Sequence, residues 1–168
     1  MKILGLPGIN PATGPWMDSI LERVANERDD ANTQYYEFWN SPDDHIDAPA
    51  ELVRAAAAAP ELIIAKSMGT LLTLRGVAES ILAPKACVLI GIPVGGDREL
   101  ERSILSGWHE RDIPTLFIQQ QADITGTFDE LTAVLTASGH LQTVSIPGSD
   151  HVYSDVDQLA SLIHDWRS

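Results

Sequence analysis

The feature that most constrains this chain is an alternation. Short apolar runs of β-type residues take turns with longer stretches of helical spacing. The runs are Lys2–Leu6, Gln34–Trp39, Leu62–Lys66, Ala86–Ile92, Thr115–Gln119 and Gln142–Ile146. Several are apolar without polar alternation, as strands covered on both faces require. Between them lie helix candidates at Trp16–Glu27, Ala48–Ala59, Gly69–Ser80, Arg98–His109, Thr127–Ser138 and Ser154–Trp166. Pro49 falls in the first turn of the second candidate, where its missing N–H is tolerated. Asp155 or Ser154 can cap the last. Alternating strands and helices bury their apolar faces by forming a parallel sheet covered on both sides, and right-handed crossovers fix most of the topology. The expected class is therefore α/β: a three-layer sandwich around a mostly parallel six-stranded sheet. No repeat, linker or composition shift divides residues 1–168, so a single domain is expected. The one longer connection rich in glycine and charge, Val94–Asp112, is too short to form a separate cap.

Charge narrows the partners. The chain carries 24 acidic against 11 basic residues, a net charge of -13. Such a surface repels a phosphate backbone and an anionic membrane, so neither nucleic acid nor membrane is an expected partner. No apolar run reaches the length of a membrane span. The apolar start Met1–Leu6 meets Pro7 and Gly8 too early to serve as a signal-peptide core. Cys87 is the only cysteine, which excludes an internal disulfide and points to a reducing compartment. A cytoplasmic protein is expected. Cys87 itself lies in an apolar run and reads as a small buried hydrophobe.

In a sheet of this kind the ligand site forms at the C-terminal ends of the strands. The third run is followed at once by Ala65-Lys66-Ser67-Met68-Gly69 and a helix. A serine at such a sharp strand-to-helix turn projects its hydroxyl above the sheet, and the crowding demands small residues two before and two after it. This is the nucleophile-elbow pattern G-x-S-x-G, with Ala65 in place of its first glycine. Serine needs a base, and the base needs an orienting acid. The loop after the fifth run supplies Asp123, and the loop after the sixth supplies His151. The order Ser67, Asp123, His151 is the one expected with this elbow. His151 is then the general base, and Asp123 the acid that holds its tautomer. Asp150 is the alternative acid, but its adjacency to His151 points its side chain elsewhere. An oxyanion needs two backbone donors. Met68, at the start of the helix, offers one N–H. Ile9, in the loop Leu6-Pro7-Gly8-Ile9-Asn10, offers the other, since Pro7 has none to donate. Gly8, Asn10 and Trp16 are candidate substrate-binding residues beside them.

The chain resembles the α/β-hydrolase superfamily, specifically its small cap-less serine hydrolases. The resemblance covers essentially the whole chain. It rests on Lys66-Ser67-Met68-Gly69-Thr70, Asp123-Ile124-Thr125-Gly126, Ile146-Pro147-Gly148-Ser149-Asp150-His151 and the Pro7-Gly8 loop. It implies a sheet order of 2-1-3-4-5-6 and assigns nucleophile, acid and base to Ser67, Asp123 and His151. Besides Ala65, two features depart from the family: Leu6 stands where many esterases have a histidine, and there is no lid. The function implied is hydrolysis of a small ester or related acyl substrate through an acyl-enzyme, with no metal or organic cofactor. The partner expected is a small-molecule acyl substrate, and nothing in the sequence sets an oligomeric state.

Other readings compete. Without turnover, Ser67 is a helix cap, Asp123 a turn residue or a cap of the following helix, and His151 an exposed loop histidine preceding a helix. The chain is then a catalytically silent binding or scaffold protein of the same fold. A flavodoxin-like phosphate binder would use Gly5-Leu6-Pro7-Gly8, but that loop lacks the G-x-G-x-x-G spacing and a nearby cation. Asp43-Asp44-His45-Ile46-Asp47 carries metal-type side chains, yet reads better as a polar loop capping the helix at Ala48.

Overall fold

The computed structural model describes residues 1–41 and 45–168. Asp43 and Asp44 of the candidate metal stretch lie outside the described residues. Six strands, β1 (Lys2–Leu6), β2 (Asp30–Thr33), β3 (Leu62–Lys66), β4 (Ala86–Ile90), β5 (Thr115–Gln120) and β6 (Leu141–Ile146), form one sheet in the order β2-β1-β3-β4-β5-β6. All five pairings are parallel. Six α-helices connect and cover them: α1 (Thr13–Val24), α2 (Ala48–Ala57), α3 (Met68–Ala78), α4 (Glu99–Ser106), α5 (Phe128–Val134) and α6 (Val156–Arg167).

The strand period of two sorts side chains between two cores. Ile63 and Ala65 of β3 and Cys87 and Leu89 of β4 point to one face, where Leu52 of α2, Leu72 of α3, Leu105 of α4 and Leu131 of α5 meet them. Leu62, Ile64, Val88 and Ile90 point to the other, against Met17 and Ile20 of α1 and Leu159 and Ile163 of α6. The central strands are buried on both faces, which is why they read as continuous apolar runs. Burial pushes the Cys87 thiol up to about 12.

The second strand differs from the expected Gln34–Trp39. The strand is Asp30–Thr33, a polar segment pairing only with β1 at the sheet edge, from Lys2 with Asp30 to Gly5 with Thr33. The aromatic run that suggested a strand instead forms a loop and a 3-10 turn over Glu37–Asn40. Its apolar signal comes from core packing. Tyr36 and Phe38 are buried and stack 5.5 Å apart. Helix bounds shift as well. The first helix begins at Thr13 with Pro15 in its first turn. The fourth stops at Ser106 and is followed by a 3-10 turn over Trp108–Arg111. The fifth opens with a capping box between Thr127 and Glu130 and ends at Val134, short of the expected Ser138. Asp47 caps α2 by accepting the Ala50 N–H at 3.0 Å, and Asp155 caps α6 by accepting that of Gln158 at 2.9 Å.

Chain order reverses at β1, which has β2 on one side and β3 on the other. At such a switch point the loops after the two flanking strands part and leave a crevice. The loop after β1 and the turn after β3 both end there.

Candidate active site

The turn after β3 compresses the chain around Ser67, whose backbone sits at φ 51° and ψ −116°. A non-glycine residue rarely adopts a positive φ, so the surrounding packing must hold it there. Gly69 shows how tight the turn is: a Cβ there would lie 2.0 Å from the Leu6 carbonyl oxygen. Ala65, by contrast, is fully buried in the core with room for its methyl group.

Three side chains from three loops converge. The Ser67 Oγ is 2.8 Å from His151 Nε2. His151 Nδ1 lies 2.8 Å from Asp123 Oδ2 and 3.0 Å from Oδ1. An ionised carboxylate only accepts, so the proton of the neutral ring sits on Nδ1 and leaves Nε2 free to accept from the serine hydroxyl. Asp150 is elsewhere: its Oδ1 accepts from Gln120 Nε2 and the Val152 N–H. Asp123 is 2% exposed. Burial works to raise its pKa, but hydrogen bonds from His151, from the Thr125 N–H and from the Tyr153 hydroxyl outweigh it, and the net shift is downward. The carboxylate is thus kept charged inside the protein.

The loop after β1 is held by its carbonyls. The Pro7 oxygen accepts from the Tyr36 hydroxyl at 2.8 Å and from the Gly69 N–H at 3.1 Å. The Gly8 oxygen accepts from Thr13 Oγ1, and the Ile9 oxygen from Trp39 Nε1 at 2.7 Å. Among the described residues the N–H groups of Ile9 and Met68 have no hydrogen-bond partner. Met68 begins α3, so its N–H is also one of the orphan donors at the positive end of that helix.

Two cavities share Ser67 in their walls. One, of about 380 Å³, is lined by Gly8, Asn10, Trp16, Lys66 and His151. The other, of about 810 Å³, is lined by Ile9, Met68, Leu71, Ile124 and Thr125 among others. Asn10 thus faces a cavity, though its side-chain oxygen already accepts the Ala12 N–H. Trp16 donates its Nε1–H to the Tyr153 oxygen at 2.8 Å.

Several residues that sequence reasoning passed over shape this site. Lys66 is 4% exposed, and its ammonium donates to the His151 carbonyl at 3.0 Å. Desolvation lowers the Lys66 pKa, against the pull of Asp123 and Asp150. Gln120 accepts the His151 N–H, and Thr125 and Tyr153 both bond Asp123. His151 and Tyr153 hold positive φ values of 62° and 59°. Lys66 and Gln120 are polar residues at strand ends facing the site, the one signal that could have found them. Among the described residues no group of three or more His, Cys, Asp or Glu side chains could hold a metal ion, and no helix is long and apolar enough to cross a membrane.

No protein-family model matches this sequence, and no curated protein matches it. Solved structures do. The esterase domain of a Rhodothermus marinus protein is 16% identical, with a TM-score of 0.65 over 98% of this chain and 83% of that one. The thioesterase domain from the curacin biosynthetic pathway is 13% identical, with a TM-score of 0.66 over 97% and 90%. Arabidopsis thaliana SOBER1 is 17% identical, with a TM-score of 0.60 over 100% and 99%. This chain has the α/β-hydrolase fold. As an α/β-hydrolase fold it is reduced to six parallel strands, in the order expected from the sequence, with the serine turn after the third strand.

Proposed function

We propose that the protein is a serine hydrolase that cleaves a small ester or related acyl substrate. The observation that carries this reading is the unbroken chain of contacts from Ser67 Oγ to His151 Nε2 and from His151 Nδ1 to Asp123. Esterases and thioesterases stand among the structures that share the fold, which supports the same reading.

The chemistry follows from the contacts. His151 Nε2 takes the hydroxyl proton as Ser67 Oγ bonds to the acyl carbon. Charge moves to the carbonyl oxygen, where the Ile9 and Met68 N–H groups can meet it. Asp123 stabilises the imidazolium that forms. Collapse of the adduct breaks the bond to the leaving group, which takes the proton from His151. Water, deprotonated by the same nitrogen, then attacks the acyl-serine; the acid leaves and Ser67 regains its proton.

A fluorophosphonate probe with the modified residue located by mass spectrometry tests the proposal. The probe is expected on Ser67, and Ser67→Ala is expected to lose labelling. The variant should also lose hydrolysis of p-nitrophenyl acetate by several orders of magnitude. A folded protein whose Ser67 stays unmodified would return the chain to the reading of a silent scaffold.

A further inference from the structure

The two cavities beside Ser67 differ in chemistry. The smaller has His151 and Lys66 in its wall. The larger has an apolar wall from Ile9, Met68, Leu71 and Ile124, and carries two arginines, Arg75 and Arg98. If Ser67 is the nucleophile, His151 must hand its proton to the leaving group, so the leaving group belongs on the side that His151 lines. The acyl chain then runs into the larger cavity, whose volume is in the range that accommodates a whole small ligand.

Two arginines in one cavity stand out in a chain with a net charge of -13. Arg75 is occupied by an ion pair with Glu101. Arg98 is not. It is half-buried, and among the described residues its guanidinium makes no hydrogen bond and no ion pair; its charge reaches Glu101 only at a distance. Among the described residues, the carboxylates that line the same cavity are committed elsewhere. Asp123 is taken by His151, Thr125 and Tyr153, and Glu130 closes the capping box with Thr127. A guanidinium presents a planar fork of donors that matches a carboxylate two bonds at a time. Left without a partner among the described residues, beside an apolar wall, it is a recognition group for an anion at the end of an apolar chain.

We infer that the larger cavity receives an acyl group with a carboxylate at its far end, and that Arg98 selects it. The substrate class is the half-ester or half-thioester of a dicarboxylic acid. The inference rests on the reading of Ser67 as nucleophile. One uncommitted fork fits one carboxylate, whereas a phosphate dianion would keep an unbalanced charge against an acidic protein. In the reaction Ser67 Oγ bonds to the ester carbon and the bond to the alcohol or thiol breaks. The leaving group takes the proton from His151, and water releases the free dicarboxylic acid.

The test compares two fluorophosphonate probes of matched chain length, one ending in a carboxylate and one in a methyl group. The readout is the labelling rate at Ser67, followed by mass spectrometry at several matched lengths. The carboxylate probe is expected to react about tenfold faster or more at the best length, the size of one charge-assisted hydrogen bond. High salt should shrink the preference. Arg98→Gln should bring the two rates together, and Arg98→Lys, which keeps the charge without the fork, should keep part of the preference. Circular dichroism checks the fold of both variants; should Arg98→Gln fail to fold, the wild-type ratio and Arg98→Lys decide. Equal rates in the wild type overturn the inference and leave the nucleophile reading standing. A preference that survives Arg98→Gln overturns the assignment to Arg98. No labelling of Ser67 by either probe overturns both readings.

Discussion

At the scale of single residues, two carboxylates adjoin His151 in different ways. Asp123 contacts the imidazole Nδ1 directly, whereas Asp150 spends its Oδ1 on Gln120 and on the Val152 N–H. Their amide variants should therefore separate. Asp123→Asn should leave the fold intact, since the isosteric amide oxygen can still accept from Thr125 while its NH2 faces Tyr153, but it cannot stabilise an imidazolium. The rate of Ser67 acylation should fall by about four orders of magnitude, as in a comparable triad. Asp150→Asn should fall far less, because its charge acts only through proximity and screening. Single-turnover acylation across pH measures both, with circular dichroism as the folding control. A crippled Asp150→Asn beside a near-normal Asp123→Asn would sink the assignment of the acid. The convergence of Ser67, Asp123 and His151 was legible because Ser67 directly follows β3 and the other two lie in the loops after β5 and β6, at the ends of the strands where this architecture forms its crevice. Thr125 and Tyr153 were not, because their roles depend on the paths of loops that no periodicity encodes.

At the scale of elements, the junction of β1, the serine turn and α3 has the least slack. A methyl group on Gly69 would meet the Leu6 oxygen at 2.0 Å and the Pro7 oxygen at 2.8 Å, and both are backbone atoms. A flexible side chain could move aside; a strand end and the loop it feeds cannot. Gly69→Ala should lower stability by about 1–3 kcal/mol or abolish folding, as overpacking does. Gly139→Ala, where a Cβ meets nothing within 4 Å, should change it by less than about 0.5 kcal/mol. Urea unfolding midpoints compare the two, and similar values would mean that the junction yields more than its geometry allows. The elements themselves were unevenly readable. β3 and β4 announce themselves because burial on both faces demands unbroken apolar runs. β2 does not, since an edge strand that alternates exposed and half-buried residues has a composition like a loop. The Tyr36–Trp39 aromatics imitated a strand because burial, not pairing, selected them. Cap residues mark the starts of α2, α5 and α6, whereas α1, α3 and α4 begin without a side-chain cap.

At the scale of the whole molecule, charge ties stability to pH. Among the described residues, six carboxyls have pKa values lowered in the folded state, Asp29, Glu101 and Asp123 among them. A backbone bond from Asn26 leads for Asp29; for Glu101, burial opposes the shift but the bond to Arg75 and its allies prevail; for Asp123 the three hydrogen bonds overcome its burial. A lowered folded pKa means that the unfolded chain binds protons first. The stability from these groups is therefore complete above the ordinary carboxylate pKa of about 4, and it is lost as pH falls through the lower folded values. Melting followed by circular dichroism should give the same Tm at neutral and mildly acidic pH and a lower one below about pH 4. A Tm that stays level into that range would contradict the argument. The distribution of the site along the chain has a consequence for synthesis. His151 lies 84 residues after Ser67, beyond β6. A chain emerging from the ribosome thus exposes its serine turn long before His151 is made. On the proposed reading of Ser67 as nucleophile, the half-made product is inert toward acyl compounds until β6 has docked and carried His151 to the serine turn.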